Sequence, residues 1–369
     1  MPCCPASVWN TAPTPARLQR GDRYVPGSAD HPAKMLPALA AHAITTYTRP
    51  GDLVLDPMCG IGTTLVEALH LGRNALGVEY EPRWAKLARD NVIHTMAAPT
   101  RARRNDCGKH DDTSPITSST SNSTSTSTGI RTSSTGIGLI GCGDARHLTD
   151  LFDDRHLGKV DLVVTSPPYG SSVHGQVRST RESGERGVTK THYRYSHDPT
   201  NLAHVSTDQL LNAFTEILAQ CRLMLRPGGT VVVSTRPWRE RGELIDLPSA
   251  VLAAGRSAGL TPTERCVALL AGIRDSQLVT RPSFFQMKNV RDARRRGVPL
   301  SVIQHEDVLV FTKPTPHDSP GSTFGPAFAT TAPHCTTRTC HKPHTTATYR
   351  SRTCARARAC VNECLRHGG

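Results

Sequence analysis

The sequence lacks long apolar runs, and acidic residues are scarce in it. No stretch of its 369 residues approaches the roughly 18 consecutive apolar residues that would indicate a membrane span. The N-terminus shows no charged region leading into an apolar segment, so we expect no secretory signal and a cytoplasmic protein with reduced cysteines. Asp and Glu number 31 against 44 Lys and Arg, and this net charge of +13 indicates a polyanionic partner without identifying it.

Two segments contain too few large apolar residues to join a core. Between residues 113 and 135, 17 of 23 are Ser or Thr, which predicts a disordered insertion over about 109–136. Residues 315–369 carry +5 of the net charge and predict a disordered basic tail. The tail contains a C-x4-C-H-x2-H motif from Cys335, but its irregular spacing and its polar surroundings favour no metal site.

Residues 51–314 show strand-like and helical patterns in alternation. That alternation is typical of a doubly wound parallel sheet. A helix from Ser206 to Leu225 is indicated by a capping box and by apolar residues at helical spacing. We therefore expect an arm and a helix in residues 1–50, then an α/β domain over 51–314 with a mostly parallel seven-stranded sheet and an antiparallel last strand. The seven predicted strands are 52–56, 74–79, 137–142, 160–165, 230–234, 266–270 and 307–311.

A turn with two glycines, D-P-M-C-G-I-G-T-T from Asp56, follows the first predicted strand. Glycine lets a ligand approach the backbone at the carboxyl end of a strand, and the amides that begin the next helix suit an anionic group. Glu79 ends the second strand, where a carboxylate can accept hydrogen bonds from ribose hydroxyls. The turn does not match the G-x-G-x-x-G motif of nicotinamide-binding proteins, because Leu65 occupies the position of the third glycine. The turn thus predicts a ribose-containing cofactor, and a tight turn without a ligand is the alternative.

A second motif, T-S-P-P-Y-G from Thr165, follows the fourth predicted strand and should lie at the same edge of the sheet. An exocyclic amine on an aromatic base is a poor nucleophile because its lone pair is delocalised into the ring. If two hydrogen-bond acceptors bind the two N–H groups of the amine, they free that lone pair. Ser166 Oγ and the Pro167 carbonyl are the candidates for these acceptors. Pro167 and Pro168 stiffen the loop, while Tyr169 offers a face for a base swung out of its stack. Methyl transfer from a sulfonium needs positioning more than a general base.

These motifs resemble those of the amino-methylating DNA methyltransferases, the N4-cytosine/N6-adenine family, over roughly residues 9–314. The resemblance implies S-adenosylmethionine as cofactor and methylation of the exocyclic nitrogen of cytosine or adenine in DNA. It adds an H-P-A-K segment from His31 and a G-D-A-R turn from Gly143 to the cofactor site. An H-E-x-x-L-V-F-x-K-P segment over 305–314 also matches, and we interpret it simply as the last strand. The implied cofactor-binding residues are His31, Lys34, Asp56, Pro57, Cys59, Gly60, Gly62, Thr63, Thr64, Glu79 and Asp144.

In many family members the target motif precedes the cofactor motif, whereas here the order is reversed, which leaves the region that recognises the target unplaced. Two basic loops, 170–200 and 281–297, are candidates for nucleic-acid binding, with solvated surface as the alternative. From these loops we select Arg178, Arg194, Arg291 and Arg295.

Three alternatives to a DNA methyltransferase stay open. RNA guanine-N2 methyltransferases share D-P-x-C-G-x-G-T and P-P-Y-G, but they usually carry an N-terminal RNA-binding domain for which residues 1–50 are too few. Glutamine methyltransferases would have Asn in place of Ser166. A catalytically inactive relative would bind nucleic acid without the cofactor. Ser166 is commoner in the cytosine-N4 branch than in the adenine-N6 branch, but this does not decide the base.

Overall fold

The computed structural model describes residues 6–97, 136–168, 176–179, 188–191, 196, 198, 201–240, 243–282 and 284–315. Only the backbone is described for 176–179 and 188–191. The Ser/Thr-rich insertion predicted over 109–136 lies outside these residues except for Gly136. The tail predicted over 315–369, with its Cys/His motif, lies outside them beyond Thr315.

Helices and strands alternate through most of the described chain. The helices are α1 Ala16–Arg20, α2 Pro37–Tyr47, α3 Thr63–His70, α4 Pro82–Ala97, α5 Leu148–Leu151, α6 Thr207–Met224, α7 Leu247–Ser257 and α8 Phe284–Arg295. The strands are β1 Val8–Trp9, β2 Leu53–Asp56, β3 Asn74–Glu79, β4 Gly138–Cys142, β5 Val160–Thr165, β6 Gln176–Ser179, β7 Val188–Thr191, β8 Leu225–Thr235, β9 Trp238–Glu240, β10 Glu243–Ile245, β11 Thr261–Leu269, β12 Gly272–Arg274, β13 Gln277–Val279 and β14 His305–Thr312.

The main sheet has the strand order β1-β11-β14-β8-β5-β2-β3-β4. Neighbouring strands are parallel except for β14, which runs antiparallel to both β8 and β11. The predicted α/β fold with an antiparallel last strand is thus confirmed. The structure adds an eighth strand, β1, whose two residues are too few to produce a period-two pattern in the sequence.

Helices cover both faces of this sheet because successive strand residues point to opposite faces. In β8, Val231 and Val233 pack into the core that includes Phe214 of α6, whereas Val232 packs into the core that includes Leu39 of α2 and Leu65 of α3. The doubly wound arrangement therefore follows from strands that are apolar on both sides.

Helix α6 forms as its sequence predicts. The Ser206 hydroxyl accepts a hydrogen bond from the Gln209 amide at 3.3 Å, and the Ser206 amide donates to Gln209 Oε1 at 3.1 Å, which completes the capping box. The predicted apolar face, Leu210, Phe214, Ile217, Leu218 and Cys221, is buried.

Both segments predicted as basic loops contain regular structure. Strands β6 and β7 pair as an antiparallel hairpin within 170–200. Most of 281–297 is helix α8, whose Gln, Met, Lys and Arg residues have high helix propensity. Gly297, with φ of 78°, follows the end of this helix in a conformation that glycine adopts readily. A loop was therefore the wrong prediction for most of 281–297, whereas most of 170–200 lies outside the described residues.

The arrangement of strands brings several chain ends to one edge of the sheet. The parallel strands β2, β3 and β5 end there with Asp56, Glu79 and Thr165. Because β14 is antiparallel, it begins at this edge, with Asp307 opposite Thr235 near the end of β8. This carboxyl edge is where an open α/β sheet binds ligands.

We expect Gly255→Ala to destabilise the fold. Gly255 in α7 lies against the buried ring of Phe311 in β14, and an added Cβ would overlap that ring. The free energy of unfolding in urea should fall by about 1–3 kcal/mol because the core must shift to admit the methyl group. Ser257→Ala, an exposed position of the same helix, should change it by less than about 0.5 kcal/mol. Equal stability of the two variants would contradict the close packing of α7 on β14.

Candidate functional site

A cavity of about 390 Å³ lies at the carboxyl edge of the sheet. The ends of β2, β3 and β5 contribute to its wall, together with the segment before α2 and the turn after β4. Thirteen of the predicted catalytic and cofactor residues line it: His31, Lys34, Asp56, Pro57, Cys59, Gly60, Thr63, Thr64, Glu79, Asp144, Ser166, Pro167 and Pro168. Gly62 is not part of the lining, and Tyr169 lies outside the described residues.

Asp56 holds the turn after β2 in shape. Its Oδ1 accepts a hydrogen bond from the Met58 amide at 3.1 Å, and its Oδ2 accepts one from the Thr64 hydroxyl at 2.7 Å. Burial raises the pKa of this carboxyl from its ordinary value of 3.8 to about 6, although the hydrogen bonds partly offset the rise. The side chain joins the start of the turn to the first residues of α3, so it fixes the cavity wall from within.

The two glycines of the turn are required by its backbone conformation. Gly60 has φ of 56° and Gly62 has φ of 80°, and both values favour glycine. An added Cβ on Gly60 would lie 3.2 Å from His31 Nε2, which is a tight contact. An added Cβ on Gly62 would lie 3.4 Å from the Cβ of Ala88 in α4, which is an ordinary contact. Gly60 lines the cavity, and its Cβ position is directed at His31.

Glu79 presents a fixed carboxylate to the cavity. The side chain is 1% exposed, Gly60 N–H donates to its Oε2 at 2.9 Å, and Glu81 N–H donates to its Oε1 at 2.9 Å. A carboxylate has about four sites that accept hydrogen bonds. Backbone amides orient both oxygens, and the side chain lines the cavity, where a carboxylate suits hydroxyl groups as hydrogen-bond donors.

His31 and Lys34, from the segment before α2, also line the cavity. His31 is 2% exposed, its ring packs edge-on against Trp84 with centroids 4.7 Å apart, and its Nδ1 accepts from the Ala33 amide at 3.2 Å. Burial, together with the charge of Lys34, lowers the pKa of His31 to about 3, so the ring is neutral. Lys34 Nζ donates to the carbonyls of Ala29, at 2.7 Å, and His31. Burial lowers the pKa of Lys34 to about 8.

Asp144 follows β4 and pairs with Arg146. Arg146 Nη2 lies 2.6 Å from Asp144 Oδ2, and the Arg146 amide donates to Oδ1 at 2.9 Å. Burial alone would raise the pKa of Asp144, but the hydrogen bonds from Arg146 hold it below its ordinary value. The carboxylate is therefore ionised and already oriented. Both side chains line the cavity, although the sequence argument selected only Asp144.

The target motif opens onto the same cavity as the glycine turn. Ser166, Pro167 and Pro168 directly follow β5, and Pro167 is buried. Of the nucleic-acid candidates, Arg178 lies on β6 and Arg194 lies outside the described residues. Arg291 and Arg295 are exposed on α8, where Arg295 Nη1 contacts Asp292 Oδ1 at 3.2 Å.

Sequence reasoning missed several residues of the cavity wall. Glu306, assigned above only to the last strand, lines the cavity because antiparallel β14 begins at this edge, and its carboxylate accepts a hydrogen bond from the Ser234 hydroxyl. Asn201 reaches the wall from the segment before α6, and its Nδ2 donates to Glu81 Oε1 at 3.1 Å. Asn201 carries no pattern signal, whereas Glu306 belongs to the H-E-x-x-L-V-F-x-K-P segment that we interpreted only as the last strand.

The described part of the chain contains neither a cluster of metal-binding side chains nor a helix suited to span a membrane. There, no group of three or more His, Cys, Asp or Glu side chains is arranged to hold a metal ion. Among the same residues, no helix combines the length and apolar character needed to cross a membrane. Cys59, Cys142, Cys221 and Cys266 are free thiols.

Comparison with known proteins supports the resemblance drawn from the motifs. Residues 5–90 match the model of a family described as DNA methylase, the N6/N4 methyltransferases. This range contains the H-P-A-K segment, the glycine turn and Glu79, and it ends before the S-P-P-Y motif. The similarity to the amino-methylating DNA methyltransferases is thereby confirmed for this part of the chain.

Three curated relatives are each similar to a part of this chain. Type II methyltransferase M.BglI of Bacillus subtilis is 42% identical over 76 residues, which are 20% of this chain and 22% of the relative. A tRNA (guanine(10)-N2)-dimethyltransferase of Methanocaldococcus jannaschii is 27% identical over 148 residues, 38% of this chain and 30% of the relative. Type II methyltransferase M.MjaII of the same organism is 32% identical over 60 residues, 16% of this chain and 11% of the relative. The chain thus spans less than a third of the length of each of these relatives.

We expect Asp56→Asn to change how stability depends on pH. A buried carboxyl with a raised pKa is easiest to accommodate when protonated, so its contribution is fully present below pH 3.8 and is lost as pH rises through about 6. Relative to the variant, the wild type should therefore become less stable between about pH 4 and pH 7, as measured by denaturant unfolding at several pH values. Asp90→Asn, on α4, controls for the loss of a carboxylate elsewhere. Parallel pH profiles of wild type and Asp56→Asn would contradict this assignment.

Proposed function

We propose that this chain transfers the methyl group of S-adenosylmethionine to an exocyclic amino nitrogen, N4 of cytosine or N6 of adenine, in DNA. The observation that carries the proposal is the single cavity lined by both the Gly60 turn and the Ser166-Pro167-Pro168 turn. A methyl group can pass from a donor on the first turn to an amine on the second only if both open onto one space. The match of residues 5–90 to the DNA methylase family supports the same assignment.

The cavity residues fit the chemistry of the cofactor. The volume of about 390 Å³ is in the usual range of roughly 300–1,000 Å³ for small-molecule sites. Glu79 can accept hydrogen bonds from the ribose hydroxyls, and Asp144 can accept one from the adenine amino group. Thr63 and Thr64 open α3, whose N-terminal amides suit the carboxylate of the methionine end. Donor and acceptor groups on the protein thus correspond to those on the cofactor.

When bound, the cofactor supplies an electrophilic methyl group on a sulfonium. Ser166 Oγ and the Pro167 carbonyl act on the nucleophile: each accepts one N–H of the target amine, which draws the nitrogen lone pair out of conjugation. Pro167 and Pro168 keep that carbonyl from turning away because their φ angles are fixed. The bound cofactor would supply the carbon that this nitrogen takes up, leaving as its neutral thioether, and the proton that the nitrogen loses would pass to solvent. Positioning by this turn supplies most of the rate enhancement.

DNA is favoured over RNA as the substrate by the family match and by two type II methyltransferases among the relatives. A second candidate, methylation of guanine N2 in tRNA, is favoured by the 148-residue similarity to a tRNA dimethyltransferase. The basic surface of α8, with Arg291 and Arg295, suits the phosphates of either polymer. We expect the protein to act in the cytoplasm.

Methylation assays distinguish these substrates. Purified protein with methyl-labelled S-adenosylmethionine should label unmethylated phage DNA, and nucleoside mass spectrometry after digestion should give N4-methylcytosine or N6-methyladenine. Ser166→Ala should lower turnover by about 100-fold, in the range seen when one positioned hydrogen-bonding group is lost from a transition state. Cofactor affinity should stay near the wild-type value, because Ser166 faces the amine. Label in N2-methylguanosine of tRNA, with none in DNA, would replace this proposal by the second candidate.

We expect Glu79→Gln to weaken cofactor binding roughly tenfold or more, because charge-assisted hydrogen bonds to the ribose become neutral ones. Isothermal titration with S-adenosylmethionine measures the change in Kd. Glu243→Gln, at an exposed position of β10, is the matched control and should bind as the wild type does. An unchanged Kd in a folded Glu79→Gln protein would remove Glu79 from the ribose site.

A further inference from the structure

A short hairpin projects from the edge of the cavity. Strands β12 and β13 pair antiparallel around a two-residue turn, Asp275–Ser276. Every residue from 273 to 281 is exposed. Ile273 lies directly opposite Leu278 in the register, so the two side chains share one face of the hairpin. Each is 55% exposed, which leaves a pair of large apolar groups in solvent near the end of the hairpin.

The base of this hairpin is firmly attached to the protein. Arg281 Nη1 donates to the Ala12 carbonyl at 2.7 Å, and its Nη2 donates to the Pro13 carbonyl at 3.1 Å. Gly272 is buried beneath that guanidinium, where an added Cβ would lie 3.0 Å from Arg281 Nη2. Below it, the Leu270 amide donates to the Gln304 carbonyl at 2.8 Å. These hydrogen bonds fix the base of the hairpin, and the apolar pair Ile273 and Leu278 extends from it into solvent.

The turn itself adopts an unfavourable conformation. Asp275 and Ser276 have φ of 47° and 60°, and they are the two non-glycine residues with positive φ in the described chain. Positive φ at both central positions gives the tight two-residue turn that matches the twist of the paired strands, although residues other than glycine adopt it less often. The hairpin therefore ends in a narrow turn.

The hairpin lies within reach of a duplex whose target base occupies the cavity. Leu270 lines the cavity, and Ile273 is the third residue after it in the chain. Three extended residues span at most about 11 Å, so the Ile273 Cα lies within that distance of the Leu270 Cα. Base pairs are stacked about 3.4 Å apart along each strand. The apolar pair is therefore within roughly three base-pair steps of a nucleotide bound in the cavity.

The charge around the apolar pair identifies its partner. Residues 271–304, which leave and re-enter the sheet at the cavity edge, contain seven Lys and Arg against two Asp. Arg274 adjoins Ile273, and α8 exposes Lys288, Arg291, Arg294 and Arg295. Apolar groups inside a strongly basic surface match a duplex, which has anionic phosphates outside and apolar base stacks inside.

We propose that Ile273 and Leu278 form an apolar wedge that enters between stacked base pairs beside the target nucleotide. The wedge holds the duplex unstacked while the target base occupies the cavity. Unstacking a base step is unfavourable, and a wedge of apolar side chains offsets this by replacing the lost stacking contacts. This inference rests on the proposed function and adds to it a surface that acts on the DNA rather than on the transferred methyl group.

The test compares two double variants after the methylated site has been mapped on phage DNA by nucleotide sequencing. Ile273→Ser/Leu278→Ser removes the wedge. Ile93→Ser/Leu223→Ser is the matched control, since these side chains are 62% and 49% exposed in the last turns of α4 and α6, away from the cavity. Each protein is assayed on a duplex with a perfect target pair and on one with a mismatch at the target base. A 2-aminopurine beside the target reports unstacking.

We expect the wedge variant to lose roughly tenfold or more in kcat/KM on the perfect duplex and much less on the mismatched one, because a mismatched base is already easier to extrude. Its 2-aminopurine signal should fall, while the control variant should match the wild type in all assays. Equal losses on both duplexes, or no loss, would overturn the wedge while leaving the methyltransferase assignment intact. A wedge variant that is fully active on DNA but shifts from dimer to monomer in sedimentation would assign the pair to self-association. Absence of DNA methylation by the wild type would remove both proposals.

Discussion

The hydrogen bond from the Gly60 amide to the buried Glu79 carboxylate joins the two halves of the cofactor wall. It connects the turn after β2 to the end of β3, and neither element alone would define the shape of the cavity. The parallel pairing of these strands brings the two residues together, since Asp56 lies opposite Gly77 in the register. Asp56 then fixes the rest of the turn through Met58 and Thr64. The strand pairing brings these residues together, and the local hydrogen bonds then fix them as a wall of the cavity.

Much of this architecture was predictable because it depends on local patterns. Strand β3 at 74–79 and strand β5 at 160–165 have the bounds that the sequence indicates, and α6 begins at its capping box. The sites after these strands follow from the rule that ligands bind at carboxyl ends. The positions of Ser166 and Glu79 could therefore be inferred from the sequence alone.

What the sequence could not provide depends on contacts between distant segments. Glu306 reaches the cavity only because β14 is inserted antiparallel between β8 and β11. Asn201 is placed by its bond to Glu81, 120 residues away. Gly62, assigned to cofactor binding from the motif, is not part of the cavity lining and lies beside Ala88 of α4. The charge of 281–297 suggested a nucleic-acid-binding loop and hid the helix propensity of α8.

The N-terminal arm contacts both the cavity wall and the base of the β12–β13 hairpin. Its residues Thr11, Ala12 and Pro13 accept or donate hydrogen bonds at the base of the β12–β13 hairpin, while His31 and Lys34 further along form the cavity wall. Between them, Gln19 bonds to the Thr11 carbonyl, and Arg20 bonds to the Met35 carbonyl. One cross-linked length of backbone therefore borders both the cavity and the hairpin. Gln19 and Arg20 therefore brace the cavity wall and the support of the hairpin at once, so the two surfaces share one scaffold.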